Sequence, residues 1–217
     1  MFDVAKHLGA ITRAVESTTH DGKPAKVVVA SRSYPTSPDD LWDAVTDPKR
    51  IPRWFAAVEG DLRLGGRFQV QGNAGGEIVA CDAPTHLSLT WEMGGGVSWV
   101  DVTIEGSSSG EEESTTLTLR HTAEQLDPEF YDTYGPGAVG VGWELSLMGL
   151  AEHVATGATM DHDEVEAWGA TDGGRAFMGG SADGWGEAAV ADGEDPDAAR
   201  ASAARTTAFY TGAEPPA

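Results

Sequence analysis

The chain has 217 residues and a formal charge of -21, because 35 acidic residues face only 14 basic ones. Its length allows one large domain or one ordinary domain with an appendage. The acidic excess repels nucleic-acid phosphates and anionic lipid surfaces, so we expect no nucleic-acid partner and no membrane partner. No apolar run approaches the roughly 20 residues that span a bilayer and the N-terminus lacks a leader-peptide pattern, so we predict a cytoplasmic protein.

The chain contains one cysteine, Cys81. A single cysteine excludes an intrachain disulfide and a paired-cysteine metal site. Since unpaired cysteines are usually small buried residues, we expect Cys81 in the core.

Two β-rich runs near the start flank the dipeptide Asp21-Gly22. These two residue types tolerate the positive φ of a tight turn, so the sequence predicts a hairpin from Ile11 to Tyr34.

Short helices should follow the hairpin. Ser37 is a good N-cap with Pro38 at the first helical position, and the pair Asp47-Pro48 should end that helix. A second short helix is predicted from Ile51 to Phe55.

From Gly65 onward, five runs in which apolar and polar residues alternate predict five strands. We interpret these strands as an antiparallel meander. The strands are "RFQVQ", "EIVAC", "HLSLTWEM", "VSWVDVTIE" and "TTLTLRHT". The turn "GNAGG" lacks the features of a phosphate-binding loop. The polar segment "GSSSGEEES" should be a mobile connector between the last two strands.

A long helix is predicted after the segment "GPG". Its apolar residues recur at helical spacing and Gly157 should end it. The stripe comprises Val139, Trp143, Leu147, Leu150 and Val154. An antiparallel sheet with one apolar face needs a cover, and this helix can supply it, which predicts an α+β fold.

The region after Gly157 is acidic and rich in glycine and alanine, yet it contains five large aromatic residues. We therefore expect two helices docked on the main domain rather than a solvated tail. One would be capped by Ser181 around Trp185, and the other would run from Asp195-Pro196 to Phe209.

Alternation along the five strands assigns one face of the sheet to the core. That face is apolar except for His121 and Ser98. Its members are Phe68, Val70, Ile78, Ala80, Leu87, Leu89, Trp91, Ser98, Val100, Val102, Ile104, Leu117, Leu119 and His121.

Four segments in this order resemble the activator of heat-shock protein 90 ATPase homologue family, within the START-like (Bet v 1-like, polyketide cyclase) superfamily. They are "LWDAVTDPKRIPRWF", "LGGRF", "GGEIVACDAPTHLSLTW" and "GVGWELSLMGL", and the similarity runs from Lys26 to Gly157. The resemblance implies a helix-grip fold, in which a curved antiparallel sheet wraps a long C-terminal helix and leaves a tunnel. It also looks like an extended bacterial subgroup, with an added strand in residues 1–25, the domain in residues 26–158 and a helical extension in residues 159–217.

Members of this superfamily bind apolar molecules, a few are cyclases or dehydratases, and eukaryotic relatives are co-chaperones. The resemblance therefore implies a protein that binds a small apolar or aromatic molecule, lipid-like or polyketide-like, without established turnover. The alternatives are a co-chaperone-like interaction module and a cyclase-like or dehydratase-like enzyme. We expect no cofactor; a homodimer or a chaperone partner stays open.

The predicted ligand site lies between the sheet and the long helix, with aromatic residues of the short helices lining or closing it. The alternative is that these side chains are ordinary core filling. The candidate ligand-binding residues are Trp42, Trp54, Phe55, Phe68, Leu89, Trp91, Val102, Leu119, His121, Tyr134, Trp143 and Leu147.

His121 is the candidate catalytic residue, since proton transfer needs an acid or base in the cavity. A buried histidine tends to be neutral, and the alternative is a structural hydrogen bond to the backbone. Tyr131 and Tyr134 could reach the mouth of the site or lie on the surface. The carboxylates of "DHDE" at 161–164 lack metal-like spacing to another histidine or cysteine, so we expect no metal.

Overall fold

The structure is a computed structural model that describes residues 2–107, 113–124, 128–160 and 162–214, with only the backbone of Pro128 and His162. The strands are β1 (Thr12–His20), β2 (Lys23–Tyr34), β3 (Val58–Gly60), β4 (Arg67–Val70), β5 (Gly75–Asp82), β6 (His86–Met93), β7 (Gly96–Ser107) and β8 (Ser114–Glu124). The helices are α1 (Val4–Gly9), α2 (Pro38–Thr46), α3 (Pro128–Tyr134), α4 (Gly137–Thr156), α5 (His162–Gly169), α6 (Asp172–Ala191) and α7 (Pro196–Thr211), with a 3₁₀ turn at Ile51–Arg53.

The described strands form one eight-stranded sheet in the order β1-β2-β8-β7-β6-β5-β4-β3. Each neighbouring pair from β3 to β8 is antiparallel. The predicted α+β fold with its antiparallel meander is thereby confirmed. The predicted connector "GSSSGEEES" falls largely on residues 108–112, which lie outside the described residues.

The chain divides into two compact units. Unit 1 comprises residues 1–30, 124–145 and 161–217, and unit 2 comprises residues 31–123 and 146–160. Strand β2 and helix α4 therefore contribute residues to both. The predicted domain boundaries at residues 25 and 158 stay a prediction. They describe how far the family resemblance extends along the chain, whereas the two units are defined by contacts within the structure.

Local chemistry explains the first elements. Asp21 and Gly22 have φ values of 48° and 78°, which confirms the predicted hairpin turn. The Ser37 side chain accepts a hydrogen bond from the Asp40 amide at the start of α2, as predicted. The second predicted helix is shorter, a 3₁₀ turn that ends at Arg53.

In unit 2, one face of the sheet carries the core, as alternation predicts. Its residues on β4 and β8, those on β7 from Val100 onward and Ile78 on β5 are buried, whereas Ser98 on β7 and the residues on β6 are half-buried. On the opposite face, Ser31 and Ser33 of β2 form side-chain hydrogen bonds with Thr118 and Thr116 of β8, each at 2.8 Å. The buried members of the core face are Phe68, Val70, Ile78, Val100, Val102, Ile104, Leu117, Leu119 and His121.

Helix α4 is longer than the predicted stripe and its burial does not follow one stripe. Val141 and Glu144 are fully buried although they lie outside the stripe, while Val139, Trp143 and Val154 are only half-buried. The stripe was wrong in this respect because the helix has packing partners on more than one side. The helix ends before Gly157, whose φ is 68°, as predicted.

The C-terminal region holds three described helices rather than two. Ser181 lies inside α6 and does not cap it; Thr171 does, accepting a hydrogen bond from the Gly174 amide. The prediction failed because a stretch with six glycines favours a helix only when it is packed. Asp195 caps α7, as predicted.

Cys81 is exposed, so the prediction of a core position is wrong. The register of β5 shifts between Ile78 and Ala80, and beyond this shift Ala80 pairs with Ser88 and Cys81 with Leu87. The predicted alternation, which put Ala80 on the core face, therefore does not hold past Ile78, and no later residue of β5 is buried. Within the part of the chain that the structure describes, no helix is long and apolar enough to cross a bilayer.

Candidate functional site

The candidate site is an apolar surface in unit 2. Phe68, Val70 and Ile78 form a buried cluster at one end of the sheet. Seven partly buried hydrophobic residues pack against this cluster: Phe55, Ala56, Val58, Leu62, Leu87, Leu89 and Trp91. We call Phe55, Leu87, Leu89 and Trp91 the β6 apolar surface; these side chains join the core on one side and remain partly accessible on the other.

The β6 residues differ from their neighbours on the same face. Leu87 pairs with Val102 and Leu89 with Val100, and both valines are buried. Leu87 and Leu89 are half-buried. The core face of unit 2 is therefore covered over β8 and over β7 from Val100 onward, and it is incompletely covered over β6 and Ser98.

Two aromatic residues that follow the 3₁₀ turn extend this surface. The Trp54 indole nitrogen donates to the Ala44 carbonyl at 2.9 Å, which fixes the ring beside α2. Phe55 stacks on Trp54 with ring centroids 5.6 Å apart, and Phe68 lies 6.1 Å from Trp91. Trp42 on α2 is half-buried.

A polar pair lies on the same face next to Trp91. Ser98 is directly opposite Trp91 on β7, and His121 is opposite Val100 on β8, so Ser98 and His121 are diagonal neighbours. Their side chains are linked by a hydrogen bond of 2.8 Å between His121 Nε2 and Ser98 Oγ. The Ser98 hydroxyl also donates to the Trp91 carbonyl at 3.1 Å.

These bonds assign the histidine tautomer. Serine has one hydroxyl hydrogen, and it is directed to the Trp91 carbonyl. His121 Nε2 must therefore carry the hydrogen of the 2.8 Å bond and donate it to Ser98 Oγ. Both residues are satisfied in this arrangement without a charge on the imidazole.

Burial lowers the pKa of His121 to about 4, because desolvation penalises the imidazolium. His121 is consequently neutral at physiological pH, as expected from the sequence. A base with so low a pKa is weak, and its Nε2 already holds a hydrogen. The pair is better suited to hydrogen bonding with a bound molecule than to abstracting a proton.

The remaining predicted site residues divide between the two units. Val102, Leu119 and Leu147 are buried in unit 2, and the Leu147 carbonyl accepts a bond from the Tyr34 hydroxyl at 3.4 Å. Trp143 is half-buried in unit 1. Tyr134 also belongs to unit 1, where its ring packs 5.1 Å from Phe130 and 5.6 Å from Phe209.

Both the hydroxyl and the ring of Tyr131 have partners within unit 1. Its hydroxyl donates to Glu194 at 2.7 Å, and the Lys26 ammonium lies over its ring. Burial and the carboxylate raise the pKa of Tyr131, so its proton stays in place.

Sequence reasoning missed Arg32 on β2, which is 6% exposed in unit 2 with its guanidinium over the Tyr34 ring. Alternation could have found it, since Ser31 and Ser33 face the opposite side of the sheet. Ser98 was placed on the correct face, but its bond to His121 depends on a strand register that alternation does not supply.

Among the described residues, no group of three or more histidine, cysteine, aspartate or glutamate side chains could hold a metal ion. The segment "DHDE" begins at a residue outside the description, and the side chain of His162 is also outside it.

An antiparallel sheet followed by a long helix, with an accessible apolar surface on one sheet face, defines an α+β protein of the START-like, helix-grip class. The family model described as "Activator of Hsp90 ATPase homolog 1-like protein" matches residues 35–155, which is more than half of the chain. The chain therefore belongs to this family.

Solved structures agree with this assignment. The solution structure of CalU16 from Micromonospora echinospora is similar with a TM-score of 0.67 at 29% identity, covering 84% of this chain and 97% of that one. Its crystal structure gives a TM-score of 0.58 at 30% identity, covering 78% and 98%. DynU16, from the dynemicin biosynthetic locus, shares the fold at 24% identity with a TM-score of 0.52, covering 63% of this chain and 50% of that one. No curated protein matches the chain.

Proposed function

We propose that this protein binds a small apolar or aromatic molecule at the β6 apolar surface of unit 2. The observation that carries the proposal is the incomplete cover over Leu87, Leu89 and Trp91, next to a buried cluster on the same sheet face. Ligand sites are typically concave and apolar with a few polar groups that fix orientation, and the Ser98–His121 pair supplies such groups.

The energy available at this surface is sufficient for useful affinity. A ligand that removes about 200 Å² of apolar surface from water gains roughly 5 kcal/mol before the costs of association. The aromatic rings of Phe55 and Trp91 add favourable ring contacts with an aromatic ligand.

The properties of the Ser98–His121 pair favour ligand binding over catalysis. His121 is neutral and its Nε2 hydrogen is already directed at Ser98. A cyclase or dehydratase needs a group that exchanges protons near neutral pH, and a pKa of about 4 is far from that range.

Fluorescence titration with the neutral probe N-phenyl-1-naphthylamine tests the proposal. Trp91→Leu removes a ring from the β6 apolar surface, and Trp99→Leu is the matched control, because Trp99 pairs with Thr90 on the opposite face of the same two strands. We expect Trp91→Leu to weaken binding about tenfold or more and Trp99→Leu to change it less than twofold. No binding by the wild type, or equal effects of the two substitutions, would refute the proposal.

Native mass spectrometry of the protein purified from its own host provides an independent test. A co-purifying small molecule of apolar character supports the carrier function. The same spectrum gives the oligomeric state and thereby separates a monomer from a homodimer.

A second candidate function is supported by a specific observation in unit 1. Phe130 and Phe209 are 48% and 63% exposed, and both rings pack against Tyr134. Exposed clusters of aromatic residues are typical of protein interaction sites. We therefore propose, as the alternative, a co-chaperone-like interaction module that uses this aromatic cluster.

The alternative is tested with an Hsp90-type chaperone from the same host. If it holds, the protein changes the chaperone's ATPase rate and Phe209→Ser abolishes the change, whereas Leu64→Ser, an exposed apolar position in unit 2, leaves it intact. An ATPase rate that the wild-type protein does not alter would dispose of a chaperone-activating role.

A further inference from the structure

Ser98 is the accessible member of the polar pair. It is half-buried, whereas His121 is 7% exposed. Ser98 also lies directly across from Trp91 in the β6–β7 register. A molecule that packs on the Trp91 side chain from the uncovered side of the sheet therefore meets Ser98 before it meets His121.

The hydrogen-bond capacity of Ser98 is only partly used. A hydroxyl group has one donor and two acceptor lone pairs. In the part of the chain that the structure describes, the donor goes to the Trp91 carbonyl and one lone pair receives the His121 Nε2 hydrogen. One lone pair of Ser98 Oγ is left to accept a hydrogen bond, and the group can offer no further hydrogen.

The free lone pair of Ser98 Oγ requires a hydrogen-bond donor on the ligand. A carboxylate or an ether oxygen has no hydrogen to offer, and a carboxylate is further disfavoured by the chain's charge of -21. A charged ammonium group would have to lose its hydration next to Phe68 and Trp91, which is costly. A neutral hydroxyl group satisfies the lone pair without either penalty.

We infer that the ligand is a phenol or a ring alcohol whose hydroxyl donates to Ser98 Oγ while its ring packs on Trp91. This inference rests on the function proposed above, since it names the chemistry of the molecule that the β6 apolar surface accepts. Ser98 then acts as a specificity-determining residue, and His121 positions it by donating its Nε2 hydrogen to the same oxygen.

Two probes that share a ring system test the inference by calorimetric titration. 2-Naphthol carries the hydroxyl donor, and 2-methoxynaphthalene replaces its hydrogen with a methyl group. We expect the wild type to bind 2-naphthol about fivefold to tenfold more tightly, which corresponds to one hydrogen bond in a partly buried site.

Substitutions test whether the preference for 2-naphthol over 2-methoxynaphthalene depends on Ser98. Ser98→Ala should bind the two probes equally, because the acceptor is gone, and Ser98→Thr should retain the preference for 2-naphthol. Ser88→Ala is the matched control, since Ser88 lies on the opposite face of β6, where it pairs with Asp101. Its preference should equal that of the wild type.

The outcomes separate the inference from the function on which it rests. Binding of neither probe by the wild type rejects both. Equal binding of the two probes by the wild type, or a preference that persists in Ser98→Ala, overturns the hydroxyl inference and leaves the apolar binding function standing. If Ser98→Ala does not fold, nuclear magnetic resonance of the wild type decides: 2-naphthol must shift the His121 ring signals more than 2-methoxynaphthalene does, and equal shifts overturn the inference.

Discussion

Arg13 and Glu144 form a bidentate ion pair in unit 1, with Arg13 Nε 2.6 Å from Glu144 Oε1 and Arg13 Nη2 2.8 Å from Glu144 Oε2. The Glu144 side chain is fully buried and that of Arg13 is 14% exposed. The pair joins β1 to α4 across a sequence separation of 131 residues. The buried carboxylate of Glu144 is thus tolerated in a mostly apolar helix because its charge has a fixed partner.

Removing one member of this pair should be more damaging than removing both. Arg13→Met leaves the buried Glu144 carboxylate without its guanidinium and should lower the free energy of unfolding by roughly 3 to 5 kcal/mol. The double variant Arg13→Met/Glu144→Leu should lose clearly less. Urea unfolding followed by tryptophan fluorescence measures both, and equal losses would contradict the prediction.

The stability of the protein should fall in mild acid through His121. Its folded-state pKa of about 4 lies below the ordinary value of 6.5, so between these values the unfolded chain binds a proton that the folded chain does not. Stability is therefore fully present above pH 6.5 and declines as the pH falls towards 4, by about 3 kcal/mol in total. Unfolding measured at pH 7 and at pH 5 should show a smaller decline for His121→Gln than for the wild type.

Gly140 on α4 should not accept a side chain. A Cβ atom at this position would lie less than 3.0 Å from the Trp185 ring, which is completely buried and has no space to move into. Gly140→Ala should destabilise the protein by about 1 to 3 kcal/mol, measured by thermal unfolding. Gly179→Ala on α6 is the control, because its Cβ would meet only Thr207 Cγ2 at 3.6 Å. It should be neutral or stabilising, since alanine favours a helix.

Ser181 should be replaceable with a gain in stability. It is fully buried in α6, and within the described part of the chain its hydroxyl oxygen makes no hydrogen bond. Ser181→Ala removes this unsatisfied group and should raise the free energy of unfolding by about 1 kcal/mol. A loss of stability on this substitution would show that the hydroxyl has a partner after all, for example a buried water molecule.

The Cys81 thiol should react in the native state. Because Cys81 is exposed near the end of β5, a disulfide reagent such as Ellman's should label one thiol per chain without denaturant. Cys81→Ser should abolish labelling and change stability by less than about 0.5 kcal/mol. Labelling that requires denaturant would indicate a buried position.

The elements with strong local signals were predicted well. Asp21-Gly22, Ser37-Pro38 and Asp195-Pro196 each carry their own turn or cap chemistry, so neighbouring residues decide the outcome. Alternation likewise placed Ser98 and His121 on the core face, because a strand's period does not depend on its partners.

Features that depend on distant residues were missed. Strand β3 has only three residues, and helix α1 has six, which is too short for a helical pattern to emerge. The bond between Ser98 and His121 depends on the register of β7 against β8, and the burial of Glu144 depends on Arg13. None of these relationships is encoded within a window of neighbouring residues.

Helix α6 depends on distant segments of the chain for its helical structure. Several of its glycines lie where another segment of unit 1 passes close by, Gly180 beside Leu8, Gly184 beside Arg13 and Gly186 beside Ala199. Each glycine weakens the isolated helix by about 1 kcal/mol, so this segment excised as a peptide would be a random coil in water. Helix α6 is accordingly held in shape by N-terminal residues and by α7, so a nascent chain cannot complete this part of unit 1 before α7 has been synthesised.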